Sequence, residues 1–237
     1  MSTDSASARS ASPHPDNASA PGDPTAAAGS GPVTIRLYHE ETDRAAMSEI
    51  CMVTGAAGGD ARPLYRDQEL LPDIFAHPYT VFDPGLAFVA DDGGRAVGYI
   101  VGTADTARFV KQFREQWLPR VAASHAPPPA PGRPPAGRDE AMSGLLHEPE
   151  RMIVPELADY PAHLHIDLLP GYQGRGGGRA LMTAFLAAAR RAGADRVHLG
   201  MLRSNVQAGA FYARMGFTEL RTADQPDDLV YLVRETG

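Results

Sequence analysis

The sequence is short of lysine, of cysteine and of long apolar runs, and each shortage excludes something. Lys111 is the one lysine among 22 basic residues. A phosphate loop of the Gly-x-x-x-x-Gly-Lys-Ser/Thr kind needs a lysine directly after its glycines, and Lys111 follows no glycine run. Cys51 is the one cysteine. That rules out an internal disulfide and a cysteine-rich metal centre, and it points to a reducing compartment, the cytoplasm. No apolar run reaches the roughly 20 residues of a membrane-spanning helix, so no membrane association is expected. The N-terminus lacks the charged start and apolar core of a secretory signal. Basic residues are outnumbered by 29 acidic ones, for a net charge of −7. A protein without a basic surplus is a poor general binder of nucleic acid.

Alanine is abundant, with 24 glycines and 21 prolines, and arginine replaces lysine almost throughout. This is the composition of a GC-rich, bacterial genome. Residues 1–31 hold almost no large apolar side chain, so burial cannot offset ordering entropy and a disordered tail is expected. Residues 32–237 suffice for one domain with a sizeable core. A proline-rich stretch at about 124–138 reads as a surface insertion.

Residues 33–38 alternate as a strand. Thr42 or Asp43 is expected to cap a helix running to Thr54, with Cys51 packed inside it. Residues 60–82 mix proline, acids and aromatics, and are expected to wall a pocket together with 105–121. Residues 86–102 carry a hairpin signal around Asp91-Asp92-Gly93-Gly94. Residues 105–121 repeat apolar groups at helical spacing up to a stop at Pro119. Residues 163–169 read as a central strand, with Leu164, Ile166 and Leu168 on one side and His163, His165 and Asp167 on the other. Leu181, Met182, Phe185, Leu186 and Ala189 then form the buried stripe of a helix. A further strand over 196–201 is followed by a helix, opened by a capping box of Ser204 and Gln207 and closed by Gly216. Two last strands end the chain. Strand–helix–strand–helix from 163 to 215 implies one parallel pair in a sheet whose hairpins are antiparallel.

Between the strand at 163–169 and the next helix lies Pro170-Gly-Tyr-Gln-Gly-Arg-Gly-Gly-Gly-Arg179. Glycines allow close backbone approach, and a helix starting there aims free N–H groups and a positive dipole end at a ligand. The turn is an anion cradle. A dinucleotide fingerprint, Gly-x-Gly-x-x-Gly, fails in both registers, because its last position falls on Arg179 or on Leu181. Gln173, Gly176 and Gly178 fit Gln/Arg-x-x-Gly-x-Gly/Ala instead. With Asn205, Phe211-Tyr212 and Gly216-Phe217 about thirty residues later, this stretch resembles the acyl-CoA loop and the following helix of the GNAT superfamily of N-acetyltransferases. The run from His165 to Gly176, with Phe109–Leu118, also resembles bacterial relatives of the acetyltransferase-like C-terminal domain of O-GlcNAc-removing glycosidases. Some relatives in that branch are thought not to bind acetyl-CoA; the glycine loop here is intact.

The resemblance implies an α/β fold: a mixed, mostly antiparallel sheet with a splayed parallel central strand pair, flanked by helices. It implies acetyl-CoA as cosubstrate, an amine as acceptor, no metal, and often a homodimer. Gly174, Arg175, Gly176, Gly177, Gly178 and Arg179 would hold the pyrophosphate beside Gln173. Leu168 and Leu169 would pair with the pantetheine arm, and Asn205 would hydrogen-bond it; as a plain residue, Asn205 equally suits a helix start. Tyr212 would be the general acid toward the leaving thiolate. For the base the expectation is Asp167, directly or through water, with His165 in reserve. Two alternatives stand beside transfer: a catalytically silent acetyltransferase-like binding module, and a metal site built on His163-x-His165-x-Asp167.

Overall fold

The structure, a computed structural model, describes residues 33–223 and 225–237. The tail expected over residues 1–31 lies outside the described residues. Seven strands form one sheet in the order β1–β2–β3–β4–β5–β7–β6. They are β1 (Thr34–Leu37), β2 (Phe88–Asp92), β3 (Arg95–Thr103), β4 (Ala162–Leu168), β5 (Arg196–Leu202), β6 (Thr218–Leu220) and β7 (Leu229–Glu235). Every neighbouring pair is antiparallel except β4 and β5. The hairpin between β2 and β3 turns at Gly93 and Gly94, both left-handed with φ of 62° and 94°, as its sequence signal requires.

Helices α1 (Glu40–Thr54), α2 (Leu70–Phe75) and α3 (His77–Phe82) precede the hairpin. After it come α4 (Thr106–Gln112), α5 (Leu118–Val121) and α6 (Arg138–His147), and then α7 (Gly177–Arg191) and α8 (Val206–Arg214). Thr54 and Tyr79 bond to the polar side chains of β4, so α1 and α3 cover that face. Helix α7 covers the other face; its stripe Leu181, Met182, Phe185, Leu186 and Ala189 is buried as expected. Gly102 of β3 permits this packing, since a Cβ there would lie 2.7 Å from the Phe185 ring.

Three local expectations are corrected. Helix α1 begins at Glu40, before Thr42 and Asp43. Its acids suit the positive first turn, and Asp43 accepts the His39 N–H at 2.9 Å from inside the helix. Pro119 does not stop the helix at 105–121. A π-helical turn, Phe113–Trp117, breaks the register, and Pro119 falls in the first turn of α5, where a missing N–H does little harm. Asn205, not Ser204, caps α8. Residues 125–137 hold no helix or strand. This stretch is entered at His125, whose ring nitrogens sit 2.6 Å from Asp67 and 3.1 Å from Asp73.

The feature that positions the site is a parting of strands. β4 and β5 pair only at Ala162–Val197 and His163–His198. Beyond those residues the two parallel strands separate, and a gap opens toward the start of α7.

Candidate functional site

The edge of that gap is backbone. The Leu169 N–H bonds to Val97 O of β3 at 3.0 Å. Strand alternation therefore turns the backbone groups of Leu168 and Ile166 the other way, into the gap. The Leu168 carbonyl accepts from Gln173 Nε2 at 2.8 Å, which leaves the Leu168 N–H as the donor facing the opening. Leu169, expected on the same edge, does not share it: its N–H belongs to β3 and its side chain is buried.

The glycine turn closes one end. Gln173 spans it, with Nε2 on Leu168 and Oε1 accepting from Gln207 Nε2 at 2.9 Å, so its side chain ties β4 to the first turn of α8. Gly174 and Gly176 have φ of 74° and 89°. A Cβ at either would meet nothing within 4 Å, so the backbone conformation, not lack of space, calls for glycine. Gly176 is the N-cap of α7, where no side chain caps the helix and no acid occupies the first turn. Ala180 is the first residue whose N–H bonds back, to Gly176 O at 3.0 Å. The N–H groups of Gly177, Gly178 and Arg179 thus have no intrahelical acceptor, and they carry the positive end of the dipole. Gly178 lies close to Phe211 of α8, and Gly177 packs toward Val33. Arg179 lines the cleft, whereas Arg175 does not; its guanidinium stands 5.9 Å over the Tyr172 ring.

Helix α8 forms the opposite wall. Asn205 Oδ1 accepts the Ala208 N–H at 3.1 Å, so this oxygen serves the helix, while its Nδ2 lies near Gly58 at the cleft wall. Tyr212 packs between Phe211 and Phe217 and reaches the same space. Together these walls enclose a cleft of about 370 Å³. Asp167, Leu168, Gln173, Gly174, Gly176 and Gly178 line it, with Arg179, Asn205 and Tyr212. Leu169, Arg175 and Gly177, also expected at the site, are not on its surface.

At the inner end Asp167 Oδ1 accepts from the Thr54 hydroxyl at 2.8 Å, and Oδ2 accepts from the Tyr99 hydroxyl at 2.6 Å. Burial pushes the carboxyl pKa up, and the two hydroxyl bonds pull it part of the way back. Burial also raises the Tyr212 phenol, and the Asp167 charge adds to that rise. Tyr212 is therefore protonated throughout the neutral range. His163 and His165 stand beside Asp167 on the strand. Both Nε2 atoms meet the Tyr79 hydroxyl, at 2.8 and 3.1 Å, and His163 Nδ1 lies 2.7 Å from Thr106 Oγ1. Burial holds both imidazoles neutral, with His165 lowered to about 4. The two rings thus converge on a hydroxyl. Among the described residues no group of three or more His, Cys, Asp or Glu side chains is placed to hold a metal ion.

Thr54, Gly58, Tyr99, Gln207 and Arg214 join the site without having been expected there. Tyr99 meets Asp167 because the β3–β4 register places them opposite each other. A single sequence carries no sign of that register.

A sheet with one splayed parallel pair, a glycine turn and an uncapped helix at the splay define an acyltransferase-like architecture, and comparison with known proteins agrees. The profile of the acetyltransferase (GNAT) family matches residues 145–217. The crystal structure of a protein named SsHAT is 50% identical, with a TM-score of 0.81, covering 87% of this chain and 100% of that one. Protein O-GlcNAcase of Rattus norvegicus is 24% identical over 204 residues, 85% of this chain. The chain spans only 22% of that protein's length. An uncharacterized N-acetyltransferase of Mycobacterium tuberculosis is 52% identical over 50 residues, 21% of this chain and 32% of that protein. The chain belongs to the GNAT acetyltransferase family. Among the described residues no helix is long and apolar enough to cross a membrane.

Proposed function

We propose that the chain is an acetyl-CoA-dependent N-acetyltransferase acting on an amine. One observation carries the reading: a single cleft joins an uncapped helix N-terminus to the Asp167–Tyr212 pair, with the Leu168 N–H between them. Acetyl-CoA would supply an activated acetyl thioester at that inner end. The N–H groups from Gly174 to Arg179 hold its pyrophosphate, and the Arg179 side chain adds charge. Ile166 and Leu168 present strand backbone to the pantetheine arm, and Asn205 Nδ2 is the donor left over after helix capping. The Leu168 N–H polarises the thioester carbonyl. Asp167, directly or through one water, takes the proton that the amine loses as its nitrogen–carbon bond forms. Tyr212 gives its proton to the sulfur as the carbon–sulfur bond breaks. Exchange with solvent restores both groups.

A binding module without turnover is the second reading. Asp167 favours it, because each carboxylate oxygen already holds a hydroxyl. Thiol release from acetyl-CoA across a broad amine panel separates the two. Release with any amine supports transfer, whereas tight acetyl-CoA binding without release supports the binding module.

A further inference from the structure

Thr54, the last residue of α1, is buried, and with Asp167 it lines the inner end of the cleft. Its Oγ1 lies 2.7 Å from Ile50 O and 2.8 Å from Asp167 Oδ1. Both neighbours are acceptors while Asp167 is ionised, and a hydroxyl has one proton to give. One of the two contacts is therefore unmade at any moment. Ile50 O does not depend on the hydroxyl, since within α1 that carbonyl also takes the Thr54 backbone N–H. Asp167 does depend on it. The carboxyl bonds to the hydroxyls of Thr54 and Tyr99, and no cation contributes to holding its charge.

A carboxyl that gains a proton has to donate it, and a buried O–H without an acceptor is costly. Tyr99 of β3 is not that acceptor. It gives its own proton to Oδ2 at 2.6 Å, and its oxygen is shared with the Cys51 thiol of α1. Tyr212 of α8 feels the Asp167 charge across the cleft. Burial keeps Cys51, Tyr99 and Tyr212 protonated. His165, the next residue on the same face of β4, is tied to the Tyr79 hydroxyl of α3 at 3.1 Å. Thr54 Oγ1 is already at hydrogen-bond distance from Oδ1, and its own proton has a second place to go.

We propose that Thr54 is a positioning residue whose hydroxyl reverses its bond to Asp167 in each turnover. While Asp167 is ionised, Thr54 donates to Oδ1. When the carboxylate takes the proton lost by the amine, Oδ1–H donates to Thr54 Oγ1, and the Thr54 proton turns to Ile50 O. Asp167 gains one proton, Thr54 keeps its own, and every O–H has an acceptor before and after. The reversal lets a carboxylate that already holds two hydroxyls act as a base. The proposal rests on the transferase reading and deepens it at Asp167.

The test follows the Asp167 carboxyl itself, by NMR of the full chain carrying carbon-13 at its aspartate carboxyls. The Asp167 signal is identified by its loss in Asp167→Asn and is titrated with pH. Tyr99 donates in both forms, so Tyr99→Phe removes a charge-assisted bond from the ionised form and one neutral bond from the protonated form. A charge-assisted bond is roughly twice as strong as a neutral one, so the midpoint should rise, by roughly one pH unit. Thr54→Val removes one charge-assisted bond from the ionised form and two neutral bonds from the protonated form. These losses balance, and the midpoint should rise by less than half the Tyr99→Phe value. A rise of half that value or more would make Thr54 a fixed donor and overturns the proposal. With any accepted amine, kcat for thiol release should fall roughly tenfold in Thr54→Val with KM for acetyl-CoA unchanged. Thr54→Ser, which keeps the hydroxyl, should restore most of it. An unchanged kcat in Thr54→Val also overturns the proposal. Melting temperature confirms that the variants fold, and Thr54→Ala is read in the same way should Thr54→Val fail to. Absence of turnover with every amine contradicts the transferase reading alone, and the carboxyl titration then decides about Thr54.

Discussion

In the proposed transfer Asp167 and Tyr212 carry opposite halves of one proton balance, and their surroundings make the two roles separately testable. Tyr99 donates to Asp167 and lowers its pKa. Tyr99→Phe removes that bond, so the carboxyl pKa rises and the acid limb of the rate–pH profile moves to higher pH. If Asp167 is not the base, the limb stays where it is. Tyr212→Phe keeps the packing against Phe211 and Phe217 but removes the proton donor. Thiol release should fall by about 10²-fold with acetyl-CoA affinity nearly intact. An equal fall in affinity would make Tyr212 a wall of the cleft and nothing more.

At the scale of elements, the start of α8 and the turn before α7 have to be told apart from plain capping. Asn205 Oδ1 caps α8, and in the proposed site its Nδ2 donates to the ligand. Asn205→Asp keeps the cap and loses the donor, so acetyl-CoA affinity should drop while the melting temperature holds. Asn205→Ala should lose about 1 kcal/mol of stability as well. Identical behaviour of the two variants would reduce Asn205 to a cap. Gly176→Trp adds a strained left-handed residue, costing about 1–2 kcal/mol, and places an indole at the mouth of the cleft. Calorimetry should show acetyl-CoA binding lost while circular dichroism shows the fold retained. The glycine turn, the stripe of α7 and the strand pattern of β4 were legible in the sequence because each rests on local chemistry: φ sign, 3.6-residue spacing and alternation. The π turn at Phe113–Trp117 was not; it comes with a tertiary bond, Trp117 Nε1 to Asp73 O at 2.7 Å. The backbone direction of Leu169 was hidden for the same reason, since pairing with β3 decides it.

For the whole molecule, buried neutral histidines set the acid limit. His77 is fully buried, and burial lowers its pKa to about 4, the value reached by His165. A histidine with a depressed folded pKa contributes its full stability above the unfolded value near 6.5 and loses it as pH falls toward 4. His77 alone accounts for up to roughly 3 kcal/mol over that window. Asp43 and Glu40 are held low by Arg36, Tyr38 and Arg44, so their loss comes at still lower pH. Asp73 and Asp167, held high by burial, act in the opposite sense. The melting temperature should fall steeply between pH 6.5 and 4; a flat profile there would contradict neutral buried imidazoles.

The mixed sheet with one parallel pair followed from the alternation of hairpin and crossover signals; the full strand order, with β7 between β5 and β6, did not. Nor did the surroundings of Asp167, because Thr54, Tyr99 and Asp167 come from three distant segments that only the folded sheet brings together. The claim that the cleft takes acetyl-CoA is tested most directly by isothermal titration of acetyl-CoA into the full chain. One molecule bound per chain with micromolar affinity, weakened severalfold by Arg179→Ala, is the predicted result. No heat at high micromolar ligand would contradict the account.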